Sequence, residues 1–157
     1  MPRPRLAVVS LCALVLAGGL TGCAGTVAMT PAADANDPDC AAVTVRLPDT
    51  VAGQERRWTD AQATGAWGAP ATTVLLRCGV PEPGPSALPC ETVGGTDWIV
   101  DDSEAPNYRF TTYGTSPAVE VYLDGELVPG RTALDALASA VLLLPRTDRS
   151  CSERPST

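Results

Sequence analysis

The sequence predicts an α+β domain in which a small antiparallel sheet of about four or five strands carries a C-terminal helix on one face. Short segments with alternating apolar residues, separated by glycine- and proline-rich turns, recur between residues 43 and 124, which is typical of half-buried strands. The apolar pattern then changes to a helical period near the C-terminus. Four cysteines lie outside the N-terminal segment, which predicts that two disulfide bonds staple the domain.

The N-terminus has the pattern of an export signal. Arg3 and Arg5 precede an apolar run of 15 residues from Leu6 to Leu20, whereas a membrane-spanning helix needs about 20 residues. The run closes on Leu20-Thr21-Gly22-Cys23, which resembles the bacterial lipoprotein signal. We therefore expect cleavage before Cys23, whose thiol carries a diacylglycerol with two acyl chains such as palmitate. The alternative is an ordinary secretory signal with an incidental cysteine.

These features predict four regions. Residues 1–22 are the signal peptide, and residues 23–39 are the lipidated cysteine and a flexible tether rich in Ala, Thr, Pro and Asp. Residues 40–151 form a single globular domain, and residues 152–157 form a C-terminal tail. Two acyl chains hold a protein at a bilayer where a single chain binds reversibly, so the expected location is the outer face of the cytoplasmic membrane.

The charge of the chain excludes nucleic acid as a partner. Removal of Arg3 and Arg5 leaves 11 − 2 = 9 arginines against 18 acidic residues, a net charge of 9 − 18 = −9. The one basic pair in the domain is Arg56-Arg57, and binding to phosphate backbones needs a larger basic surface. The expected partners are the lipid bilayer, through the acyl anchor, and an envelope protein or wall glycan. The use of arginine for all 11 basic residues indicates a high-GC bacterium, such as an actinobacterium.

Cys40, Cys78, Cys90 and Cys151 remain once Cys12 leaves with the signal and Cys23 takes the lipid. Four cysteines allow three connectivities, of which we favour Cys78–Cys90 and Cys40–Cys151. The first closes a short loop rich in proline and glycine, and the second pins both ends of the domain together. Zinc is the competing interpretation, but the chain has no His and no CxxC pair, so no cofactor is expected.

Strands are expected along most of the domain. Val43, Val45 and Leu47 alternate with polar residues and predict a strand that Pro48 stops. Residues 49–69 are ambiguous: a short helix near 50–57 and irregular chain both fit, because three glycines interrupt the segment. The apolar run at residues 72–78 predicts a central strand.

The remaining elements have clearer signals. Residues 91–93 and 97–100 flank Gly94-Gly95-Thr96, a hairpin signal, and residues 108–113 and 118–123 predict two more strands. Thr132 and Asp135 have the spacing of a helical capping box. The helix that follows has apolar residues at Leu134, Leu137, Ala138, Val141 and Leu142 and is expected to bury most of its surface before Pro145 ends it.

Four motifs in this order carry a family resemblance. They are Ala66-Trp67-Gly68-x-Pro70, Leu75-Leu76-Arg77-Cys78-Gly79-Val80, Asp97-Trp98 and Tyr113-Gly114-x-x-Pro117-Ala118-Val119-Glu120-Val121. Together with the C-terminal Ala/Leu helix they resemble the actinobacterial lipoproteins grouped as domain of unknown function 3515, over residues 40–151. The resemblance implies an envelope location and transfers no catalytic residue, because that family has no assigned activity.

The candidate site residues are few. The absence of His excludes Ser-His-Asp and Cys-His catalysis. Trp58 and Trp67, with Arg56 and Arg57, form a candidate binding surface, since Trp and Arg are enriched in binding hot spots. The alternative is that both tryptophans cover the open end of a small core. Weak candidates for acid–base chemistry or a metal are Asp97, Asp101, Asp102 and Glu104, for which a solvated strand end is the alternative.

The sequence therefore favours a non-catalytic lipoprotein that binds an envelope protein or a wall component. A second hypothesis is an accessory lipoprotein that binds a small ligand or a metal. A weaker third hypothesis is a wall hydrolase that uses two carboxylates.

Overall fold

The structure is a computed structural model, and it describes residues 25–69 and 71–151. The predicted signal peptide, the lipidation site Cys23 and the C-terminal tail at residues 152–157 lie outside the described residues. The described elements are, in chain order, α1 (Pro38–Val45), β1 (Thr50–Val51), β2 (Gln54–Arg57), β3 (Thr64–Trp67), β4 (Val74–Val80), β5 (Cys90–Val93), β6 (Thr96–Asp101), β7 (Asn107–Tyr113), β8 (Ala118–Asp124) and α2 (Gly130–Val141).

The eight strands form one antiparallel sheet in the order β1-β2-β3-β4-β8-β7-β6-β5. Helix α2 contacts both terminal strands of this order, β1 and β5, and also α1, so the sheet curves around the helix. The predicted antiparallel sheet with a C-terminal helix and two disulfides is confirmed. The predicted number of strands, four or five, is wrong, because residues 50–67 contribute three strands.

Residues 50–57 form a hairpin and not the short helix that was one interpretation of this segment. Val51 pairs with Gln54, and the two residues between them, Ala52 and Gly53, have φ values of 47° and 80°. Positive φ at both central residues is the signature of a type I′ turn. The second strand of the hairpin, Gln54–Arg57, has no apolar residue. It therefore could not be predicted from an alternation of apolar and polar residues.

Strand β3 is buried at all four of its residues. A Cβ atom at Gly65 would come within 2.7 Å of the Trp67 ring and 2.8 Å of the Leu47 side chain. Glycine is therefore present here because of close packing inside a strand. Gly65 is one of the three glycines that favoured irregular chain in residues 49–69, and the packing explains why that prediction is wrong here.

The strand predicted at residues 43–47 is wrong, because these residues belong to α1 and the turn after it. Asp37 caps the helix by accepting a hydrogen bond from the Asp39 amide at 2.8 Å, and Pro38 occupies the first helical position, which its fixed φ favours. Cys40, Val43 and Leu47 are buried at the helical spacing i, i+3, i+7. The valine that completed the apparent alternation, Val45, is 83% exposed.

The other strand predictions are confirmed. Strand β4 lies in the interior of the sheet between β3 and β8. Strands β5 and β6 form the predicted hairpin, with Gly94 and Gly95 at φ values of 57° and 78°. Strands β7 and β8 pair directly with each other.

Helix α2 starts earlier than predicted. It begins at Gly130 after Pro129, which makes no side-chain capping bond, so the capping box at Thr132 and Asp135 is wrong. The rigid φ of Pro129 and the bond from the Ala133 amide to the Pro129 carbonyl at 3.1 Å start the helix instead. The expectation that the helix buries most of its surface is also too strong, because Arg131, Thr132, Asp135 and Ser139 are exposed along it.

The two disulfides join Cys40 to Cys78 and Cys90 to Cys151, with Cα–Cα distances of 5.5 and 5.6 Å. The favoured pairing of Cys78 with Cys90 and Cys40 with Cys151 is therefore wrong. Strands β4 and β5 are separated by three other strands in the sheet, a distance of about 19 Å at the usual strand spacing. A disulfide requires Cα atoms within about 7 Å, so Cys78 cannot reach Cys90 despite the short loop between them.

The segment predicted as a flexible tether is wrong for residues 25–37, which pack against the domain. Val27 pairs in parallel with Thr59, and the Asp34 amide donates a hydrogen bond to the Gly79 carbonyl at 3.0 Å. Ala35 is part of the hydrophobic core. A Cβ at Gly79 would lie 2.4 Å from the Asp34 backbone, so this close approach requires glycine. Neither helix among residues 25–69 and 71–151 has the length and apolar character to span a bilayer.

Candidate functional site

A groove of about 600 Å³ lies between the end of α1 and the loop that joins β2 to β3. Thr44 of α1 and Asp49 line one part of it, and Arg56, Trp58 and Gln62 line another. The groove exists because β2 ends at Arg57 and the chain then makes a loop before β3 begins at Thr64. It is larger than a second groove, which lies between the N-terminal segment and the sheet.

The two arginines of the candidate surface, Arg56 and Arg57, hold the chain around the groove through hydrogen bonds to backbone carbonyls. Arg56 donates through Nη1 to the Leu47 carbonyl at 3.0 Å. Arg57 donates through Nη1 to the Gly68 carbonyl at 3.3 Å and to Thr72 Oγ1 at 3.1 Å, and through Nη2 to the Gly25 carbonyl at 2.8 Å. Both guanidinium groups therefore hold neighbouring backbone in place.

The loop of the groove is fixed by threonine. Thr64 donates through Oγ1 to the Ala61 carbonyl at 2.6 Å, and its hydroxyl also lies 2.7 Å from Thr59 Oγ1. Thr64 is 3% exposed, and buried hydrogen bonds of this kind hold a loop in one conformation. The groove is therefore preformed.

The two tryptophans of the candidate surface have different roles. Trp58 is 84% exposed at the groove. Trp67 is fully buried, and its Nε1 donates to the Pro48 carbonyl at 3.0 Å. The structure thus brings Trp58, Arg56 and Arg57 together and assigns Trp67 to the core. The alternative, in which both tryptophans cover the core, therefore fits Trp67 and not Trp58.

The N-terminal segment is clamped beside Trp58, a feature that the sequence analysis missed. The Val27 amide donates to the Trp58 carbonyl at 2.8 Å, and the Asp60 amide donates to the Val27 carbonyl at 3.2 Å. The Met29 amide donates to Asp60 Oδ1 at 2.8 Å. The alternation of Val27 and Met29 with smaller residues is the one sequence signal that favoured an extended, paired segment here.

A second groove of about 410 Å³ lies between this N-terminal segment and the sheet. Arg77 and Glu120 face each other there across β4 and β8, with Nη2 and Oε1 2.6 Å apart. Arg109 Nη2 lies 3.2 Å from Glu104 Oε1, and its guanidinium carbon lies 5.4 Å from the centre of the Tyr122 ring. Opposite charges balance in this groove, so it has no strong preference for an ion of either sign.

Tyr122 is the titratable group that this network perturbs. Its hydroxyl donates to Glu104 Oε2 at 2.9 Å. That hydrogen bond to the neutral phenol, then desolvation and the negative charge of Glu104, raise the pKa of Tyr122 above its usual value.

The four acidic candidates do not converge on one point. Asp97 accepts hydrogen bonds from Thr92 Oγ1 and from the Cys151 amide. Asp101 accepts from the Ser103 amide at 3.0 Å, and hydrogen bonds from Ser103 lower the pKa of Asp101. Glu104 belongs to the Arg109–Tyr122 network described above, and Asp102 is exposed in the turn between β6 and β7. In the part of the chain that the structure describes, no three His, Cys, Asp or Glu side chains are grouped so as to hold a metal ion.

Comparison with known proteins gives one result. A family model described as "Protein of unknown function (DUF3515)" matches residues 5–148. No curated protein and no solved structure matches the chain.

Proposed function

The chain belongs to the DUF3515 family of unknown function, and from this premise we propose that it is a lipid-anchored, non-catalytic binding module at the outer face of the cytoplasmic membrane. Its ligand is an envelope protein or a cell-wall component, which binds in the groove beside Trp58. The observation that carries the proposal is the preformed groove of about 600 Å³ with a tryptophan that is 84% exposed.

The sequence supports the anchor. Leu20-Thr21-Gly22-Cys23 follows an apolar run too short to cross a bilayer. Two disulfides join the four remaining cysteines of the domain, which fits an oxidising compartment outside the cytoplasm. Cys23 is then the one cysteine of the mature chain left for acylation.

The groove supports a binding role. Its volume falls within the range of about 300–1,000 Å³ that is usual for ligand sites, and exposed Trp is among the residues most enriched in binding hot spots. The guanidinium groups of Arg56 and Arg57 are bonded to backbone carbonyls. The groups that remain for a partner are the Trp58 ring and the exposed Asp49 and Gln62 side chains.

The proposal is tested by photo-crosslinking in cells that produce the full lipidated chain. A crosslinking residue at Gln62 lies in the groove, and the same residue at Ser86, exposed in the loop between β4 and β5, is the matched control. We expect one envelope component to crosslink from position 62 and not from position 86. A Trp58→Ala change should reduce its yield at least several-fold.

Equal crosslinking from both positions, or a product that Trp58→Ala leaves unchanged, would contradict a specific role for this groove. A chain in which Cys23→Ala abolishes the product would show that the partner is met at the membrane. These outcomes separate the binding surface from the anchor.

One observation favours a second candidate, a small-ligand-binding accessory lipoprotein. The Nε of Arg109, which lines the smaller groove, is buried without a hydrogen-bond partner among the described residues and lies 3.8 Å from Glu120 Oε2. A ligand oxygen that enters between the Arg109 and Glu120 side chains would satisfy it. A ligand that raises the melting temperature of the native chain and not of Arg109→Lys would support this function, and an equal shift in both would contradict it.

A further inference from the structure

The N-terminal segment leaves the domain at a defined point. The Gly25 carbonyl is held by Arg57 Nη2, and Val27 is bonded on both its amide and its carbonyl to the backbone around Trp58. These bonds connect residues that lie about 30 positions apart in the chain. The first described residues are therefore part of the surface that surrounds Trp58.

Two peptide units separate Gly25 from Cys23. An extended chain advances at most about 3.6 Å per residue, so two peptide units span no more than about 7 Å. An acylated Cys23 places its glyceryl group at the level of the lipid headgroups. The end of the domain that carries Gly25 must then lie at the bilayer surface, because too few residues remain to form a spacer.

Trp58 has the properties of a residue in the lipid headgroup region. Its side chain is 84% exposed, although it is a large and largely apolar group. Tryptophan is enriched at membrane–water interfaces, where its ring contacts apolar material and its N–H reaches polar headgroups. Residues 55–60 contain two arginines and two acidic residues, so the segment around Trp58 is neutral whereas the expected mature chain is acidic.

We infer that the domain docks directly on the bilayer with Trp58 in the headgroup region, and that residues 25–27 and Trp58 form its docking surface. The inference rests on the lipid anchor of the proposed function. It adds a fixed orientation, and it gives the groove a position at the membrane surface. The partner class for the groove is then a membrane protein or its membrane-proximal segment.

Tryptophan fluorescence gives a direct test, because the chain has three tryptophans and the other two, Trp67 and Trp98, are fully buried. The lipidated chain is purified from membranes and reconstituted in phosphatidylcholine vesicles, with or without a nitroxide label near the top of the acyl chains. We expect the label to quench one emission component, and we expect Trp58→Phe to remove that component. Flotation of the vesicles measures anchoring independently of docking.

A matched control moves the exposed tryptophan. Leu127 is 58% exposed and follows the end of β8, which is separated from β2 by β3 and β4 in the sheet. In a Trp58→Phe, Leu127→Trp double variant, the new tryptophan should stay quenchable by acrylamide in water and insensitive to the nitroxide lipid.

Three results would overturn the inference. If the chain floats with the vesicles but Trp58 stays insensitive to the labelled lipid, the anchor stands and docking is wrong. If Trp58 is accessible to acrylamide in vesicles but protected in native membranes, lipid does not reach it and docking is wrong, while the partner proposed for the groove accounts for the protection. If the chain does not float, the anchor fails and the docking surface fails with it.

Discussion

Arg57 donates a hydrogen bond of 2.8 Å to the carbonyl oxygen of Gly25, two positions after Cys23. This bond ties the strand that precedes Trp58 to the residues next to the predicted lipidation site. It links the groove and the proposed anchor, because Arg57 lines the groove. The same guanidinium also donates hydrogen bonds to the Gly68 carbonyl and to Thr72 Oγ1. A change at Arg57 should therefore affect both the N-terminal segment and the stability of the domain.

Arg57→Ala should release residues 25–29 from the domain. Hydrogen bonds to charged groups each contribute about 1.5–3 kcal/mol when they are sheltered, and Arg57 is only partly buried, so we expect a loss of about 2 kcal/mol. Hydrogen exchange of the Val27 amide, which is bonded to Trp58, should become markedly faster. Denaturant unfolding and exchange mass spectrometry of the lipid-free chain measure both effects.

Arg131→Ala is the control for that change. Arg131 is 69% exposed and lies 3.5 Å from Glu91, and exposed pairs of this kind contribute little. We expect its unfolding free energy to stay within about 0.5 kcal/mol of the native value. Equal effects of the two arginine changes, or unchanged exchange at Val27 in Arg57→Ala, would show that the clamp does not hold the segment.

The disulfide pairing makes a qualitative prediction. Proteolysis under non-reducing conditions should yield linked peptides that contain Cys40 with Cys78 and Cys90 with Cys151. Peptides that join Cys78 to Cys90 would refute the sheet order, because those strands are not neighbours. Mass spectrometry before and after reduction identifies which peptides are linked.

The same bridges predict similar losses of stability. They close loops with sequence separations of 38 and 61 residues, for which the loop-entropy model gives about 4 kcal/mol each. The Cys40–Cys78 bridge is buried, with its cysteines 0% and 1% exposed. We therefore expect mild reductant to open Cys90–Cys151 first, and alkylation followed by mass spectrometry to locate the new thiols at residues 90 and 151. Earlier alkylation of Cys40 and Cys78 would contradict this order.

Thr112 should be sensitive to loss of its hydroxyl. Its Oγ1 shares a 2.6 Å hydrogen bond with Thr115 Oγ1 and accepts one from the Val119 amide at 2.9 Å. Thr112 is fully buried, so Thr112→Val should cost about 1–3 kcal/mol by leaving the amide unpaired. Thr112→Ser keeps the hydroxyl and should cost less. Equal stability of the two variants in urea would refute a role for the hydroxyl.

Tyr122 should titrate above a free tyrosine, whose pKa is 10.0. A folded-state pKa above the unfolded value means that the neutral phenol stabilises the fold below that pH. This contribution is lost as the pH rises through the folded-state pKa. Glu104→Ala removes the main cause and should bring the Tyr122 pKa back towards 10.0. Ultraviolet titration of tyrosinate, with Tyr122→Phe to assign the signal, checks the shift, and an unchanged titration in Glu104→Ala would contradict it.

Sequence patterns correctly predicted the strands in the second half of the sheet, β4 to β8. Strand β4 is an apolar run, β5 and β6 flank a Gly-Gly turn, and β7 and β8 alternate apolar and polar residues; each was found close to where it was expected. The edge strand Gln54–Arg57 could not be recognised, because an exposed edge needs no apolar residue. Helix α1 was mistaken for a strand because Val43, Val45 and Leu47 alternate with polar residues, although only Val43 and Leu47 also fit a helical period.

The site was only partly predictable. Trp58, Arg56 and Arg57 were selected because they are adjacent in sequence, and the structure does bring them to one groove. Their relation to residues 25–29 depends on a contact across about 30 residues, which no local pattern encodes. The disulfide connectivity failed for the same reason, because loop length favoured Cys78–Cys90 while strand order separates them.

The most direct test of the account is the chemical state of Cys23 in the exported protein. Cells that produce the native chain or Cys23→Ala are labelled with an alkyne fatty acid, and the purified N-terminal peptide is identified by mass spectrometry. We expect a mature chain that begins at an acylated Cys23, with the label lost in Cys23→Ala. A mature chain that begins elsewhere, or one that carries a free Cys23 thiol, would contradict the anchor and with it the orientation of Trp58 towards the membrane.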